Sequence, residues 1–179
     1  VFFENVRVPK ANRLGEENRG WTVAKNLLGN ERLLVSRVAE NRRLLGKIIE
    51  ITRAETTRGV MFTEGLYKQM AELELRLWAL DSTALRLLSR FDLGGAIGAE
   101  PSMLKLKGSQ LVQDMDRLMY EAIGCYGQPL DSTLREGGPA GPDYADMVAS
   151  AMFHHRGYTI AGGATEVQYN IIAKQVLGL

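Results

Sequence analysis

The sequence is poor in the residues that build disulfides and metal sites. Its one cysteine, Cys125, cannot form an internal disulfide and excludes a thiolate zinc site. Its two histidines, His154 and His155, are adjacent, and no Glu-x-x-His pair is present to build the di-iron site found in some helical bundles. We therefore expect no metal.

The sequence also lacks a large excess of either sign of charge and has no long apolar run. Lys and Arg total 22 against 21 Asp and Glu, which leaves a formal net charge of +1. Nucleic-acid binders and proteins of anionic membrane surfaces usually carry a basic excess, which is missing here. No apolar run reaches the roughly 18 residues needed to span a bilayer. The sequence predicts a cytoplasmic protein without a nucleic-acid or membrane partner.

Common phosphate-binding motifs and a leader sequence are absent too. No Gly-x-Gly-x-x-Gly follows a strand pattern, and no P-loop is present. The sequence begins at Val1 inside an apolar segment, without the pattern of a signal peptide. We expect the chain to be the C-terminal part of a longer protein.

The composition that remains suits one globular core. The chain has 179 residues, of which 45% are hydrophobic, and this fits a single domain. The opening segment Val1–Pro9 is rich in β-branched and aromatic residues and stops at a proline, so it predicts a short strand at the edge of a sheet.

Helical periodicity begins at Asn30, which we expect to be an N-cap. From residue 66 to residue 91, apolar residues alternate steps of four and three for more than three heptads. A third helix is predicted after Pro101, which suits a first helical turn. Gly108 lies on its apolar stripe and predicts a close approach between helices.

Glycine and proline dominate residues 125–142, which predicts a long loop. A fourth helix is predicted over residues 143–155, and Thr165 is expected to cap a last helix that runs toward Leu177. The pattern as a whole predicts an all-α, antiparallel four-helix bundle with a short N-terminal strand remnant.

Three glycine breaks lie beside polar residues, and their order and spacing carry a resemblance. They are Gly29-Asn30-Glu31-Arg32, Gly124-Cys125-Tyr126-Gly127 and Ala161-Gly162-Gly163-Ala164-Thr165-Glu166-Val167-Gln168. Together with the opening segment and the ending Ile171–Leu179, they resemble the flavin-dependent acyl-CoA dehydrogenases over essentially the whole chain. The resemblance implies that residues 1–14 close a preceding β-domain and its linker, and that residues 15–179 form the C-terminal helical domain.

The resemblance also implies a reaction. In this family a glutamate removes the α-proton of an acyl-CoA while the β-hydrogen leaves as hydride to FAD, giving a trans-2-enoyl-CoA. The commoner branch has that glutamate where this chain has Gly162. The isovaleryl and long-chain branches place it at the start of the first long helix, where Glu31 matches. Glu31 is thus the expected catalytic base, with Asn30 and Arg32 as substrate-binding neighbours.

Glu31 also has an interpretation without catalysis. An acid in the first turn of a helix, after an Asn cap, favours the helix dipole by about 0.3–1 kcal/mol. The sequence leaves this alternative open. The resemblance favours the catalytic role.

The flavin positions that the resemblance implies are Arg58, Glu121, Gly124, Gly127, Thr165 and Glu166. Arg58 stands for the arginine of an Arg-x-x-Phe-Gly loop, and residues 121–127 stand for a Gln-x-x-Gly-Gly-x-Gly segment. In the family both contact the dinucleotide of a neighbouring subunit. Glu121 replaces the glutamine of that segment, and an acid near a pyrophosphate is electrostatically unfavourable.

Two of these positions are expected at the isoalloxazine instead. Thr165 and Glu166 match family positions that contact this ring. Thr165 fits a simple N-cap equally well. Glu166 also fits a rival base or an ordinary first-turn acid.

The implied partners are an acyl-CoA substrate, an acceptor like the electron-transfer flavoprotein, and further subunits in a homo- or hetero-oligomer. The sequence also resembles bacterial pimeloyl-CoA dehydrogenase-like members. One alternative is a non-catalytic bundle subunit that completes the flavin site of a partner, favoured by the glycine at position 162. Another is a helix-bundle interaction module that has kept only the fold.

Overall fold

The computed structural model describes residues 1–31, 36–93, 98–128 and 141–179, apart from the side chains of residues 25, 26, 28–31 and 91. In these ranges the chain forms α1 (Gly20–Glu31), α2 (Val38–Thr57), α3 (Glu64–Asp92), α4 (Glu100–Ile123), α5 (Val148–Arg156) and α6 (Thr165–Ile172). Short 3₁₀ turns cover Lys10–Asn12, Gly124–Gly127, Asp143–Ala145 and Gly157–Thr159, and a π-helical turn covers Ala173–Leu177. Among these helices, none is both long and apolar enough to cross a membrane.

Contacts between α2 and α3 show that these helices are antiparallel. Arg42 pairs with Asp81 near one end, and the Thr52 hydroxyl lies 3.9 Å from the Met70 sulfur near the other. The pairs between α3 and α4 run in the same sense, with Arg76–Asp114 at 2.8 Å and Arg90–Glu100 at 2.9 Å. Helices α2 and α4 are consequently parallel to each other. The predicted all-α antiparallel bundle is confirmed.

Helix α4 is the centre of the bundle, because α2, α3, α5 and α6 all pack against it. Its first turn contains Pro101, as the sequence predicts. Many of its side chains are buried, including polar ones; the apolar members are Leu104, Leu106, Leu111, Val112, Met115, Leu118, Met119, Ala122 and Ile123. A helix packed on this many sides has few positions at which a polar group reaches water.

The start of α2 lies directly on α4 at Gly108. A Cβ atom at this glycine would overlap the carbonyl oxygen of Ser36. The Asn41 side-chain amide donates to the Gly108 carbonyl at 3.2 Å and to the Arg37 carbonyl at 2.9 Å. The close approach predicted at Gly108 is therefore present, and a buried amide holds it.

A buried polar network joins α2, α4 and α5. The His155 ring lies between two carboxylates, with Nδ1 2.8 Å from Asp116 and Nε2 3.3 Å from Glu40. Glu40 also accepts from the Tyr158 hydroxyl at 3.1 Å and from Arg37 at 2.8 Å. The Arg37 guanidinium stacks 3.3 Å above the Tyr158 ring centroid. Each buried charge of this network thus has a partner, as burial requires.

The predicted N-terminal strand is wrong. Residues 1–9 include no strand, and no described residue belongs to one. Phe2 and Phe3 are exposed. A strand needs the backbone groups of a neighbour to complete its hydrogen bonds, and the described chain offers none. The predicted division at residue 14 stays a prediction.

The predicted start of the long helix at Asn30 is wrong as well. Helix α1 continues past Gly29 to Glu31, since a glycine within a helix costs only about 1 kcal/mol. The long helix α2 begins at Val38, after Arg37 in a left-handed conformation with φ 53°. Glu31 is thus the last described residue of α1, eleven residues after the helix begins at Gly20. The alternative of a first-turn acid after an Asn cap is therefore wrong, because the first turn of α1 is at Gly20 and contains no acid.

Residues 143–155 do not form one helix. After the turn Asp143–Ala145, Met147 has φ 62°. This left-handed conformation interrupts the helical backbone before α5 begins. The Asp146 carboxylate accepts the Met147 backbone N–H at 2.9 Å. This local side-chain bond competes with helix formation.

Adding a methyl group at Gly108 tests the close approach of α2 and α4. We expect Gly108→Ala to lower the free energy of unfolding by about 1–3 kcal/mol, because the Ser36 backbone must move. The matched control is Gly46→Ala on α2, where a Cβ meets nothing within 4 Å. It should raise stability by about 0.5–1 kcal/mol. Urea unfolding followed by helical circular dichroism measures both, and equal effects would contradict the packing argument.

The buried carboxyl of Asp116 gives a pH dependence. Burial raises the pKa of Asp116 from 3.8, and the His155 hydrogen bond opposes this. Between 3.8 and the raised pKa, the native chain binds more protons than the unfolded chain, so this group's contribution to stability falls as pH rises. Asp116→Asn removes that titration.

We therefore expect the unfolding free energy of the native protein, minus that of Asp116→Asn, to decrease as the pH rises above 3.8. Urea unfolding across this range, below ordinary histidine titration, measures the difference. A difference that grows with pH would mean that the attraction to His155 outweighs burial.

Candidate functional site

The start of α6 carries two of the predicted flavin contacts. Thr165 is the first residue of this helix, and its hydroxyl donates to the Thr159 carbonyl at 3.2 Å. The predicted N-cap role of Thr165 is wrong, since Ala164 precedes the helix and no side chain caps it. The Thr165 hydroxyl turns toward the preceding turn instead. Glu166 follows, exposed in the first turn.

The same Thr159 carbonyl accepts a second hydrogen bond, from the Lys105 ammonium at 3.3 Å. Burial lowers the pKa of Lys105, the Arg37 charge lowers it further, and the Glu166 carboxylate acts in the opposite direction. The sequence analysis missed this lysine. The one sequence feature that could have identified Lys105 was its position three residues before Gly108, on the side of α4 that faces α2.

A second group of predicted contacts lies at the end of α2. Arg58 follows the last residue of α2, and its backbone N–H bonds to the carbonyls of Ala54 and Glu55. Its side chain is 46% exposed, lies 3.9 Å from the Glu55 carboxylate, and has its guanidinium carbon 5.5 Å from the Tyr126 ring centroid. Arg58 therefore reaches solvent from a partly fixed position.

Two predicted glycines follow α4 at this same end. Gly124 is exposed and has φ 63°, which favours glycine. Gly127 is buried, and a Cβ there would lie 3.2 Å from the Tyr120 ring. Glu121 is exposed one turn earlier on α4. The glycines thus serve different purposes: one shapes an exposed turn, and the other allows tight packing.

The predicted flavin contacts therefore form two groups, at opposite ends of the bundle. Arg58, Glu121, Gly124 and Gly127 are at one end, whereas Thr165 and Glu166 are near Lys105 at the other. Lys105 and Gly124 are separated by about 28 Å along α4 at 1.5 Å per residue. One small ligand cannot contact both groups within a single subunit.

The predicted catalytic and substrate-binding side chains lie outside the described residues. Arg32 falls in a gap between the described ranges, and the side chains of Asn30 and Glu31 are not described. Their roles stay predictions. Gly162 is described, and it has φ 73° in the turn before α6.

The end that carries Arg58 fits the anionic part of FAD in two respects and opposes it in one. Arg58 presents a half-exposed guanidinium, and the backbone of Gly124 is accessible. Glu121 adds an exposed negative charge nearby. A guanidinium binds phosphate oxygens through several N–H donors, so the residues present fit the group, at reduced affinity. Within the described ranges, no cluster of His, Cys, Asp and Glu has the makings of a metal site.

Comparisons with known proteins agree with this fold. The family model described as "Acyl-CoA dehydrogenase, C-terminal domain" matches residues 18–177. Acyl-CoA dehydrogenase FadE26 of Mycobacterium tuberculosis is 29% identical over 192 residues, covering 100% of this chain and 45% of FadE26. The L-prolyl-[peptidyl-carrier protein] dehydrogenase of Pseudomonas fluorescens is 27% identical over 184 residues, covering 98% of this chain and 44% of that protein.

Solved structures of other proteins share the fold of this chain. A chain of the ChsE4-ChsE5 complex from Mycobacterium tuberculosis superposes with a TM-score of 0.74 at 27% identity, covering 99% of this chain and 45% of that one. The steroid ACAD Tcur3481-Tcur3483 has a TM-score of 0.81 at 21% identity, covering 99% of this chain and 44% of that one, and shows the fold alone.

The chain spans less than half the length of these relatives, about 45% of FadE26. The family model, in contrast, matches nearly all of the chain. This chain therefore belongs to the acyl-CoA dehydrogenase family, of which it represents the C-terminal domain.

Proposed function

We propose that this chain is part of a flavin-dependent dehydrogenase that oxidises an acyl-CoA to a trans-2-enoyl-CoA. The observation that carries the proposal is the division of the flavin positions between two ends of the bundle. It is the arrangement needed if Thr165 and Glu166 face the flavin of their own subunit while Arg58 and Gly124 face that of a neighbour. Such a chain works as an oligomer.

FAD, when bound, supplies an acceptor for the β-hydrogen with its electron pair. Glu31 takes the α-proton as general base, which a carboxylate does once the thioester carbonyl has acidified that position. Asn30 and Arg32 contact the substrate beside it. Arg58 and Gly124 hold the dinucleotide, Gly127 packs the turn behind them, and Thr165 fixes the start of α6 near the isoalloxazine.

Glu31 is a better candidate for the base than Glu166. Glu166 lies exposed in the first turn of α6, where the helix dipole stabilises its charge. Glu31 instead matches the position at which the isovaleryl and long-chain branches of the family place the base.

The proposal extends to partners and place. We propose an acceptor like the electron-transfer flavoprotein, and a cytoplasmic location for the full-length protein.

A non-catalytic subunit that completes a partner's flavin site is the second candidate. Two observations favour it: Gly162 in place of a carboxylate and Glu121 in place of a glutamine. A similar chain at 27% identity also belongs to a complex of two named proteins, ChsE4 and ChsE5.

Glu31→Gln tests the base directly. The full-length protein is mixed anaerobically with a panel of acyl-CoAs while flavin absorbance is followed. We expect the native flavin to bleach with one chain class and Glu31→Gln to be slower by about 10²–10⁴-fold, as the loss of a general base predicts. Glu166→Gln is the matched control and should slow bleaching far less. A Glu31→Gln variant that bleaches at the native rate rules out this base.

Purification without a partner separates the two candidates. If the dehydrogenase proposal holds, the full-length protein expressed alone retains flavin and bleaches with substrate. A non-catalytic subunit would gain flavin and activity only when co-expressed with a paralogous chain that keeps a glutamate at the position of Gly162. Flavin content per chain, measured in both preparations, decides between them.

A further inference from the structure

A buried carboxylate lies behind the proposed flavin-binding arginine. Glu55, in the last turn of α2, is only 4% exposed. The Tyr144 hydroxyl donates a hydrogen bond to its Oε1. Tyr144 comes from the turn Asp143–Ala145 and packs against the core. Neither residue was singled out in the sequence analysis.

Arg58 completes this group, which we call the Arg58 cluster: Glu55, Arg58, Tyr126 and Tyr144. The guanidinium has the Glu55 carboxylate 3.9 Å away on one side and the Tyr126 ring on another. Tyr126 is itself fixed, since a Cβ at Gly141 would lie 2.6 Å from its ring. The Tyr144 hydroxyl and the Glu55 charge both raise the pKa of Arg58.

The geometry restrains the Arg58 side chain but leaves its guanidinium able to bind an anion. The distance of 3.9 Å to Glu55 is too long for a tight bidentate pair, so the guanidinium N–H donors that are not hydrogen-bonded to Tyr144 can bind an anion. The Glu55 charge is shielded from water and attracts Arg58 more strongly than an exposed acid would. A long, flexible side chain is thereby held in few conformations before any ligand binds.

We propose that Glu55 and Tyr144 are positioning residues that hold Arg58 toward the pyrophosphate of a flavin dinucleotide. This inference rests on the proposed function. Tyr144 orients the Glu55 carboxylate, and Glu55 restrains the guanidinium.

A double-mutant cycle on FAD binding tests the proposal. Full-length apoprotein is prepared as native, Glu55→Gln, Arg58→Ala and the combined variant, and the dissociation constant of FAD is measured by fluorescence. We expect Glu55→Gln to weaken binding about 3- to 10-fold and Arg58→Ala about tenfold or more. The combined variant should bind no more weakly than Arg58→Ala alone, because Glu55 acts through Arg58.

Two further variants serve as controls for this interpretation. Glu50→Gln makes the same charge change on the exposed side of α2 and should leave the dissociation constant within about twofold. Tyr144→Phe removes only the hydroxyl and replaces Glu55→Gln if that variant does not fold. Its weakening of FAD binding should likewise disappear in the Arg58→Ala background.

The outcomes separate the positioning role from the proposed function. Independent, multiplicative losses in the combined variant would assign Glu55 a general structural role and overturn the inference. So would native-like binding by Glu55→Gln or Arg58→Ala. In each case substrate bleaching of the native flavin still upholds the dehydrogenase. If native apoprotein binds no FAD, the dehydrogenase proposal falls, and the positioning role falls with it.

Discussion

The contact of Ser36 with Gly108 is the constraint on which the rest of the bundle depends. Because a glycine lets the start of α2 lie directly on α4, the two helices run parallel at close range. Helix α3 lies antiparallel to both, and α5 and α6 cover what remains of α4. A central helix enclosed in this way must supply partners for its own polar side chains. Asp116 is hydrogen-bonded to His155, and Lys105 donates a hydrogen bond to the Thr159 carbonyl.

Those internal partners connect packing to the site. The His155 network holds α5 and its following turn against α2 and α4, and this turn provides the Thr159 carbonyl that receives Lys105 and Thr165. The start of α6 is therefore fixed by buried contacts of α4, not by a helix cap. At the other end, the buried Glu55 carboxylate attracts the Arg58 guanidinium, which lies 3.9 Å away. Near each end of the bundle, a buried charged side chain thus lies beside a predicted flavin contact: Lys105 shares the Thr159 carbonyl with Thr165, and Glu55 lies 3.9 Å from Arg58.

The sequence predicted the parts of the fold that depend on spacing. The described stripe from residue 66 to 87, Pro101 and Gly108 all have the predicted roles, since repetitive burial leaves a repeated pattern. The predicted caps at Asn30 and Thr165 were wrong, because a capping residue type is also common in helix interiors and a single glycine does not end α1. Glu55, Lys105 and Asp116 were missed, because a lone charge on an apolar stripe has no local partner in the sequence. Tyr144 lies 89 residues from Glu55.

The turn before α6 explains why a base at Gly162 would be costly in this chain. Gly162 and Gly163 have φ values of 73° and 102°, a conformation that side chains with a Cβ rarely adopt. A glutamate at position 162 would carry strain on the order of 1–3 kcal/mol. The backbone of this turn is therefore suited to glycine. A carboxylate at this position is therefore disfavoured in this chain, and the proposed base, Glu31, lies on a different element, α1.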